Sequence, residues 1–147
     1  MLQQDIKELE DYIVFLIEQS KKHTLTDMIM GNIPQSTVIG FNYSLKKKPL
    51  SINTDTLSKI VKRIDELEGK TNYHKKLCEL IKRFIQKHIM IDSISYLTNE
   101  IGLNYTTLHK LSDFTLKTPY RLTTLKQYAE KINEKKGSDI NECKNCK

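Results

Sequence analysis

The chain has 147 residues, of which 24 are Lys or Arg and 18 are Asp or Glu, giving a net charge of +6. This length suits one or two small domains rather than one large catalytic domain, and no apolar run approaches the ~18 residues that cross a membrane. With only 5 Gly and 3 Pro, the composition argues against a loop-rich β-sandwich and predicts an all-α protein.

Cysteine usage and the N-terminal residues predict a cytoplasmic protein. The 3 cysteines form an odd set, which is typical of a reducing compartment rather than of a disulfide framework. The chain opens with Met-Leu-Gln-Gln-Asp rather than with the basic region and apolar block of a secretory signal. We therefore expect a cytoplasmic location.

Four helices are predicted in the first half of the chain. The first has an apolar stripe at alternating spacings of four and three residues, formed by Leu2, Ile6, Leu9, Ile13 and Leu16 and widened by Phe15 and Ile17. Thr24 is a predicted cap for a short helix over residues 25–30. A third helix follows at about residues 35–43, and a fourth ends at Gly69. The fourth helix places Leu57, Ile60, Val61, Ile64 and Leu67 on one face.

The second half repeats this order of elements. The predicted caps of its first three helices are Thr71 or Asn72, then Ser93, then Asn104. Gly102 makes the turn between the two short helices, and Gly137 ends the last helix. Residues 138–147 are predicted to form a disordered polar tail. The inward residues are Leu77, Leu80, Ile81, Phe84, Ile85, Leu97, Ile101, Leu108, Leu111, Leu125, Tyr128, Ala129 and Ile132.

The two halves are also similar in sequence, which indicates duplication of one unit. Residues 12–69 align with residues 80–137 at an offset of 68 near both ends and of 70 in the middle. Matched pairs include Ile13 with Ile81, Pro49 with Pro119, Thr56 with Thr124 and Gly69 with Gly137. Chance matching within a composition rich in Leu, Ile and Lys is the alternative. The duplication predicts two units, residues 1–69 and residues 70–137.

The positive charge is concentrated in the second unit. Residues 1–69 carry 9 basic and 10 acidic side chains, whereas residues 70–136 carry 13 and 6. Clustered Lys and Arg side chains attract the phosphates of nucleic acids. An anionic partner is therefore expected mainly for the second unit.

A turn between two short helices occurs in both units. Residues 95–112 read Ser-Tyr-Leu-Thr-Asn-Glu-Ile-Gly-Leu-Asn-Tyr-Thr-Thr-Leu-His-Lys-Leu-Ser, with a turn glycine, an apolar residue, a polar cap and two threonines before the next apolar residue. This segment resembles the helix-turn-helix of phage-repressor (Cro-like, xenobiotic-response-element) DNA-binding domains. Residues 33–41 resemble the start of the family's recognition helix, and residues 46–49 its basic, proline-containing loop. The first unit departs from the pattern in its shorter second helix and in a turn glycine displaced to Gly31, before Asn32.

The resemblance implies two tandem repressor-like helix-turn-helix units of about four helices each, which bind double-stranded DNA. In such units the recognition helix presents its first polar side chains to base edges. The candidates in the second unit are Tyr105, Thr106, Thr107, His109 and Lys110, with Ser112 also facing outward. The candidates in the first unit are Gln35, Ser36 and Thr37, with Ile39 and Asn42 also facing outward. The candidate phosphate ligands are Lys46, Lys47, Lys48, Lys117 and Arg121.

Each candidate has a structural alternative. Threonine and serine at a helix start are often only caps, His109 fits a solvated surface position, and residues 46–48 fit a hydrated loop. In the DNA interpretation, Thr106 contacts a thymine methyl or a base edge, Lys110 reaches guanine or a phosphate, and Gln35 pairs with adenine.

The sequence thus predicts a sequence-specific regulator of transcription from a phage, plasmid or other mobile element. A second hypothesis uses the same scaffold as a protein-interaction module, such as an antirepressor or a phage-encoded inhibitor of a host protein. RNA binding is less favoured, because no sheet with exposed aromatic residues is predicted.

We expect no enzyme, no cofactor and no metal. Cys143 and Cys146 have the spacing of half a zinc site without a second pair, and Cys78 fits a boundary position. No Gly-rich phosphate loop occurs, and the four histidines have no spacing that makes a metal pair or an acid-base couple on one helix face.

The oligomeric state is open between monomer and homodimer. The apolar seam of the first helix, residues 2–16, packs within its own unit or pairs with a second chain as a short coiled coil.

Overall fold

The computed structural model describes residues 2–112 and 119–145, with side chains as far as residue 137. The prediction of an all-α protein is confirmed for these residues. The helices are α1 Leu2–Lys21, α2 Leu25–Ile29, α3 Gln35–Ile39, α4 Thr54–Glu68, α5 Tyr73–His88, α6 Ile94–Asn99, α7 Tyr105–Ser112 and α8 Leu122–Asn145. None of the helices in the described part is both long and apolar enough to cross a membrane.

Each half of the chain has one long helix, two short helices and a second long helix. The predicted caps of the two second helices are confirmed, because Thr24 Oγ1 accepts from the backbone N–H of Asp27 and Ser93 Oγ accepts from that of Tyr96, both at 3.1 Å. These bonds satisfy an N–H that the helix leaves unpaired at its start. The same local signal therefore begins α2 and α6.

The chain continues past α3 in a wider turn. Residues Gly40–Ser44 form a π-helical turn, which extends the third helix to about the predicted position. Asn42 is buried there, and its Oδ1 accepts from Ser20 Oγ of α1 at 2.6 Å. The expectation that Asn42 faces outward is wrong, because a buried polar side chain needs a partner and Ser20 supplies it.

Apolar side chains from both halves form one core. Fully buried members include Ile13, Leu16, Ile17, Met28, Val38, Leu57, Ile60, Val61, Ile64, Leu77, Ile85, Leu97, Leu108, Leu111 and Leu125. The seam of α1 lies inside this core, since its five apolar residues are at most 9% exposed. The seam thus packs within the chain and leaves little surface for a coiled coil.

A carboxylate of α4 fixes the start of α5. Asp65 accepts from the hydroxyl of Thr71 at 2.6 Å and from the backbone N–H groups of Tyr73 and His74 at 3.0 Å each. Asn72, one of the two predicted caps, occupies the N-cap position, but its side chain makes no cap hydrogen bond. The free N–H groups are satisfied instead by Asp65 of the previous helix. Gly69, with φ of +78°, provides the tight end of α4 that this arrangement needs.

The two halves meet through a reciprocal pair of backbone hydrogen bonds. Asn53 and Arg121 lie opposite each other in an isolated antiparallel bridge. The N–H of Thr54 donates to the carbonyl of Tyr120 at 2.8 Å, and the N–H of Leu122 donates to the carbonyl of Ile52 at 3.2 Å. Partners in this bridge come from matching positions just before α4 and α8.

The last helix does not end at Gly137. It continues to Asn145, and Gly137 is not among the glycines with positive φ, unlike its counterpart Gly69. A glycine inside a helix costs only ~1 kcal/mol relative to alanine, so it weakens a helix without stopping it. The predicted polar tail, residues 138–147, is therefore helical as far as residue 145.

An ion-pair cluster joins α1 to α5. The carboxylate of Asp5 lies 3.0 Å from Nζ of Lys87 and is also hydrogen-bonded to His88 Nε2. The bond to His88 is the main cause that lowers the pKa of Asp5 below its ordinary value of 3.8, although burial opposes it. The charged form of Asp5 therefore stabilises the contact between the halves.

We expect Asp5→Asn to lower the free energy of unfolding at neutral pH by about 1 kcal/mol. The pKa of Asp5 is lower in the folded protein than its ordinary value. Its carboxylate therefore stabilises the folded state fully at pH values above the ordinary pKa, and this stabilisation is lost as the pH falls through the lowered pKa. Urea unfolding of both proteins between about pH 6 and about pH 2.5 measures this. The control is Asp11→Asn, which removes the exposed pair with Lys7. A stability difference that persists unchanged into acid contradicts the assignment.

Candidate nucleic-acid interface

Hydrogen bonds at both ends of a tight turn hold α7 against α6. Gly102 takes φ of +84° in this turn, and the next N–H, of Leu103, donates to the carbonyl of Leu97 at 3.0 Å. Asn104 caps α7 as predicted, since its Oδ1 accepts from the N–H of Thr107 at 3.0 Å. The N–H of Asn104 itself donates to the hydroxyl of Tyr128 on α8 at 3.3 Å. The orientation of α7 is therefore set by backbone geometry and by the last helix.

None of the five candidate residues of the second unit is at a buried position of α7. Tyr105, Thr106 and His109 are exposed, whereas Thr107 and Lys110 are partly buried. The inward positions of the same helix, Leu108 and Leu111, are fully buried. The rings of Tyr105 and His109 contact each other edge to face, with centroids 4.4 Å apart. One face of α7 thus presents hydroxyl, imidazole and ammonium groups together.

A shallow groove separates this face of α7 from α6. Its open volume is about 430 Å³, and it is lined by Ile94, Ser95, Thr98, Asn99, Tyr105 and His109. Ser95 Oγ accepts from Asn99 Nδ2 at 3.2 Å, so α6 adds its own polar groups to the face. Sequence analysis missed Ser95 and Asn99, although their spacing of four residues places them on one side of a helix.

The first half has the same turn, made by a different residue. Asn32 has φ of +63° and takes the place of Gly102, 70 residues later. Ile33 and Val38 are buried, as are their counterparts after Gly102. Gly31 lies in this turn, directly before Asn32, but it is Asn32 that takes the left-handed conformation. A Cβ at Gly31 would lie 2.7 Å from Cδ of Arg63, so that side chain would have to shift.

We expect Asn32→Ala to cost about 1 kcal/mol of stability and Asn32→Gly to cost less, because alanine resists left-handed backbone and glycine does not. The two variants remove the same side-chain amide, so each is the control for the other. Thermal or urea unfolding measures the difference. Equal stability of the two variants contradicts a strained turn at this position.

The outward face of α3 has the same geometry as that of α7 and different chemistry. Gln35 and Ser36 are exposed, and Thr37 is partly buried. One turn later, Ile39 is 41% exposed and is followed by Gly40, where the second unit has His109 and Lys110. The exposed ring of Tyr43 lies under Nζ of Lys21, 5.4 Å from its centroid. The first face is thus mainly uncharged beyond its first turn.

Candidate phosphate ligands lie near the junction of the halves. Lys46, Lys47 and Lys48 are exposed, and Lys46 Nζ lies 3.6 Å from the carboxylate of Glu18. Arg121 is exposed beside the backbone bridge. Lys117 lies outside the described residues.

An open cleft of about 310 Å³ connects the lysine loop of the first half with α8. Lys47, Lys48 and Ser51 line one side, and Thr123 and Lys126 line the other. A single carboxylate, that of Glu10, also lines the cleft. Lys126 was missed because nothing in its local sequence separates it from an ordinary helix-surface lysine; only the packing of the two halves brings it near the loop.

A separate polar cluster lies between α4 and α5. Ser58 Oγ is 2.8 Å from His74 Nε2, and Cys78 Sγ is 3.8 Å from His74 Nδ1. Burial lowers the pKa of His74 and raises the pKa of Cys78. The thiol therefore stays protonated near neutral pH, which is the reverse of what activates a cysteine nucleophile.

Among the residues with described side chains, no group of three or more His, Cys, Asp and Glu is placed to hold a metal ion. The Cys143 and Cys146 pair lies outside those side chains. Comparison with known proteins gives no match: no family model, no curated protein and no solved structure matches the chain.

Proposed function

We propose that this protein binds double-stranded DNA sequence-specifically and acts as a small regulator of transcription, as in phages, plasmids or other mobile elements. The carrying observation is the outward polar face of α7, held by a tight turn and a cap in the more basic half of the chain. The second unit makes the main contacts to the base pairs, and the first unit supplies auxiliary contacts.

The dimensions of α7 support this function. An α-helix with its side chains is about 10–12 Å across, and the major groove is about 12 Å wide, so the eight residues of α7 fit into it. Thr106 is exposed in the first turn, where it can contact a thymine methyl or a base edge. Lys110 follows one turn later and can reach guanine or the backbone. The α6 residues Ser95 and Asn99 lie beside this face, where a preceding helix contacts phosphates.

The cationic side chains near the junction supply the non-specific part of the binding. No described carboxylate forms an ion pair with Lys47, Lys48, Lys110 or Arg121. If three to five such side chains contact phosphates, log affinity falls against log salt with a slope of about −3 to about −5.

Selection of bound fragments from random duplex DNA tests the proposal. We expect an enriched motif whose binding weakens with salt at the slope given above. Absence of enrichment, together with binding that does not respond to salt, contradicts DNA recognition.

A second candidate is a protein-interaction module that uses the first half. The observation that favours it is three exposed large apolar side chains in or next to α3 along the chain, with Met30 and Tyr43 each 71% exposed and Ile39 41% exposed. Exposed large apolar side chains are typical of protein contact sites when they form one patch. Salt-insensitive binding to a protein partner, with no DNA footprint, supports this candidate over the first.

A further inference from the structure

The open cleft of about 310 Å³ lies where three elements meet. Helices α1 and α8 contact each other, and both contact the short turn Pro49–Ser51. Pro49 and Leu50 of that turn are buried and give the cleft part of its lining. Pockets that hold small molecules begin at about 300 Å³, so the cleft is large enough for a small organic ligand.

Three lysines and one carboxylate line the cleft. Lys47 and Lys48 of the first half are exposed, whereas Lys126 of α8 is half-buried. Among the described residues, no carboxylate forms an ion pair with any of these lysines. Since Glu10 contributes one negative charge against the three positive ones, the lining is cationic. An anion that enters the cleft therefore meets positive charge that no ion pair neutralises.

The position that corresponds to Lys126 in the first half carries no charge. The backbone bridge pairs Asn53 with Arg121, which are 68 residues apart. The same offset makes Ser58 the counterpart of Lys126. Ser58 is buried, and its hydroxyl lies 2.8 Å from Nε2 of His74 on α5. A polar contact between helices thus occupies this position in one half, and a lysine lines an open cleft in the other, so packing of the repeat does not require a cation here.

The lining matches a phosphate ester that also carries hydroxyl groups. A phosphate monoester has a charge of about −1.5 to −2 near pH 7, and lysine ammonium groups bind phosphates as point charges. The hydroxyl of Thr123, also in the lining, is a further donor. Ser51 Oγ already donates to the carbonyl of Lys48 at 2.8 Å, so Ser51 and Glu10 offer acceptors to hydroxyl groups of a ligand. The carboxylate of Glu10 also repels a polyanion, which favours a small ester over the phosphate rows of a duplex.

We infer that the cleft between the halves binds a small phosphate ester of a polyol, such as a sugar phosphate. This site goes beyond the proposed function and does not depend on it. Lys47 and Lys48 are also candidate contacts to the DNA backbone, which offers the same phosphate chemistry. The test therefore measures a small ester and a duplex separately.

Titration of the full chain with glycerol phosphate and with inorganic phosphate, followed by backbone amide chemical shifts, tests the inference. We expect saturable binding of glycerol phosphate, with the largest shifts at residues 47–51 and 123–126. Lys126→Ala is expected to weaken this binding by about tenfold, because it removes a charge-assisted hydrogen bond, whereas Lys126→Arg keeps the charge and most of the affinity. Glu10→Gln removes a repulsive charge and is expected to strengthen binding of inorganic phosphate by about threefold.

The control is Lys59→Ala, which removes an exposed lysine of α4 that pairs with Asp55 and should leave the affinity for glycerol phosphate unchanged. Lys47→Ala, at an exposed loop position, gives a second measurement that does not depend on the packing of α8. It should also weaken binding, and circular dichroism checks that each variant is folded.

Three outcomes overturn the inference. Shifts scattered over the surface, or sulfate and phosphate bound alike and only at high concentration, indicate an adventitious ion only. Equal losses from Lys59→Ala and Lys126→Ala indicate a general effect of charge. If glycerol phosphate does not bind while Lys126→Ala weakens binding of duplex DNA, the cleft contacts the DNA backbone, and the proposed function stands without the inference.

Discussion

Asp65→Ala is expected to lower the free energy of unfolding by about 2–3 kcal/mol, since hydrogen bonds to a charged group contribute ~1.5–3 kcal/mol and loss of a cap costs ~0.5–2 kcal/mol. The carboxylate accepts three hydrogen bonds at the start of α5, from Thr71, Tyr73 and His74. Without it, two backbone N–H groups lose their partner at the connection between the halves. Urea unfolding measured at neutral pH gives the value.

A matched control is Asp55→Ala on the same helix. Its carboxylate is exposed and pairs with Lys59 at 3.5 Å, so we expect a loss below about 1 kcal/mol. Asp65→Asn keeps one acceptor oxygen and should fall between the wild type and Asp65→Ala. A loss from Asp65→Ala no larger than that from Asp55→Ala contradicts the capping role.

Lys110→Ala and Thr106→Ala are expected to weaken specific DNA binding by ~1–3 kcal/mol each, the range for a good base contact. Both residues lie on the outward face of α7. Gln35→Ala, on the corresponding face of α3, should weaken binding less, because the second unit carries the excess charge and is the principal reader. Titration of each variant against the selected duplex at one fixed salt concentration measures the order.

The control for these variants is Lys7→Ala, which removes a charge from the exposed side of α1, where Lys7 pairs with Asp11. It should change affinity little, and circular dichroism should show all four variants folded. If Lys110→Ala, Thr106→Ala and Gln35→Ala lose DNA affinity equally, or if Gln35→Ala loses more, the proposed ranking of the two units is contradicted.

Elements governed by neighbours three or four residues away were predictable from the sequence. Thr24 and Ser93 each bond a backbone N–H three residues later, and an apolar pair at i and i+3 buries Leu108 and Leu111. The outward face of α7 follows from the same periodicity. The sequence alone therefore predicts most of the residues exposed on α7.

Features that depend on distant contacts were not predictable. The acceptor for the first N–H groups of α5 is Asp65, in the preceding helix. In the turn of the first unit the left-handed residue is Asn32, and Gly31 lies close to the side chain of Arg63. Glycine and asparagine both tolerate left-handed backbone, so the sequence alone does not show whether Gly31 or Asn32 adopts it. Burial of Asn42 depends on a partner in α1.

The position of Lys126 and the backbone bridge between Asn53 and Arg121 also depend on distant contacts. Lys126 lies beside the loop of residues 46–48 only because α8 packs on the first half. The bond from Thr54 to Tyr120 spans 66 residues, and no local pattern encodes it. The contact between the two halves therefore required the structure.

The most direct test of sequence-specific DNA recognition is the ratio of affinities for the selected duplex and for a scrambled duplex of the same composition, measured near physiological salt. We predict that the selected duplex binds at least ~10³-fold more tightly, the lower end of the range for specific DNA-binding proteins. Equal affinity for the two duplexes would contradict the account.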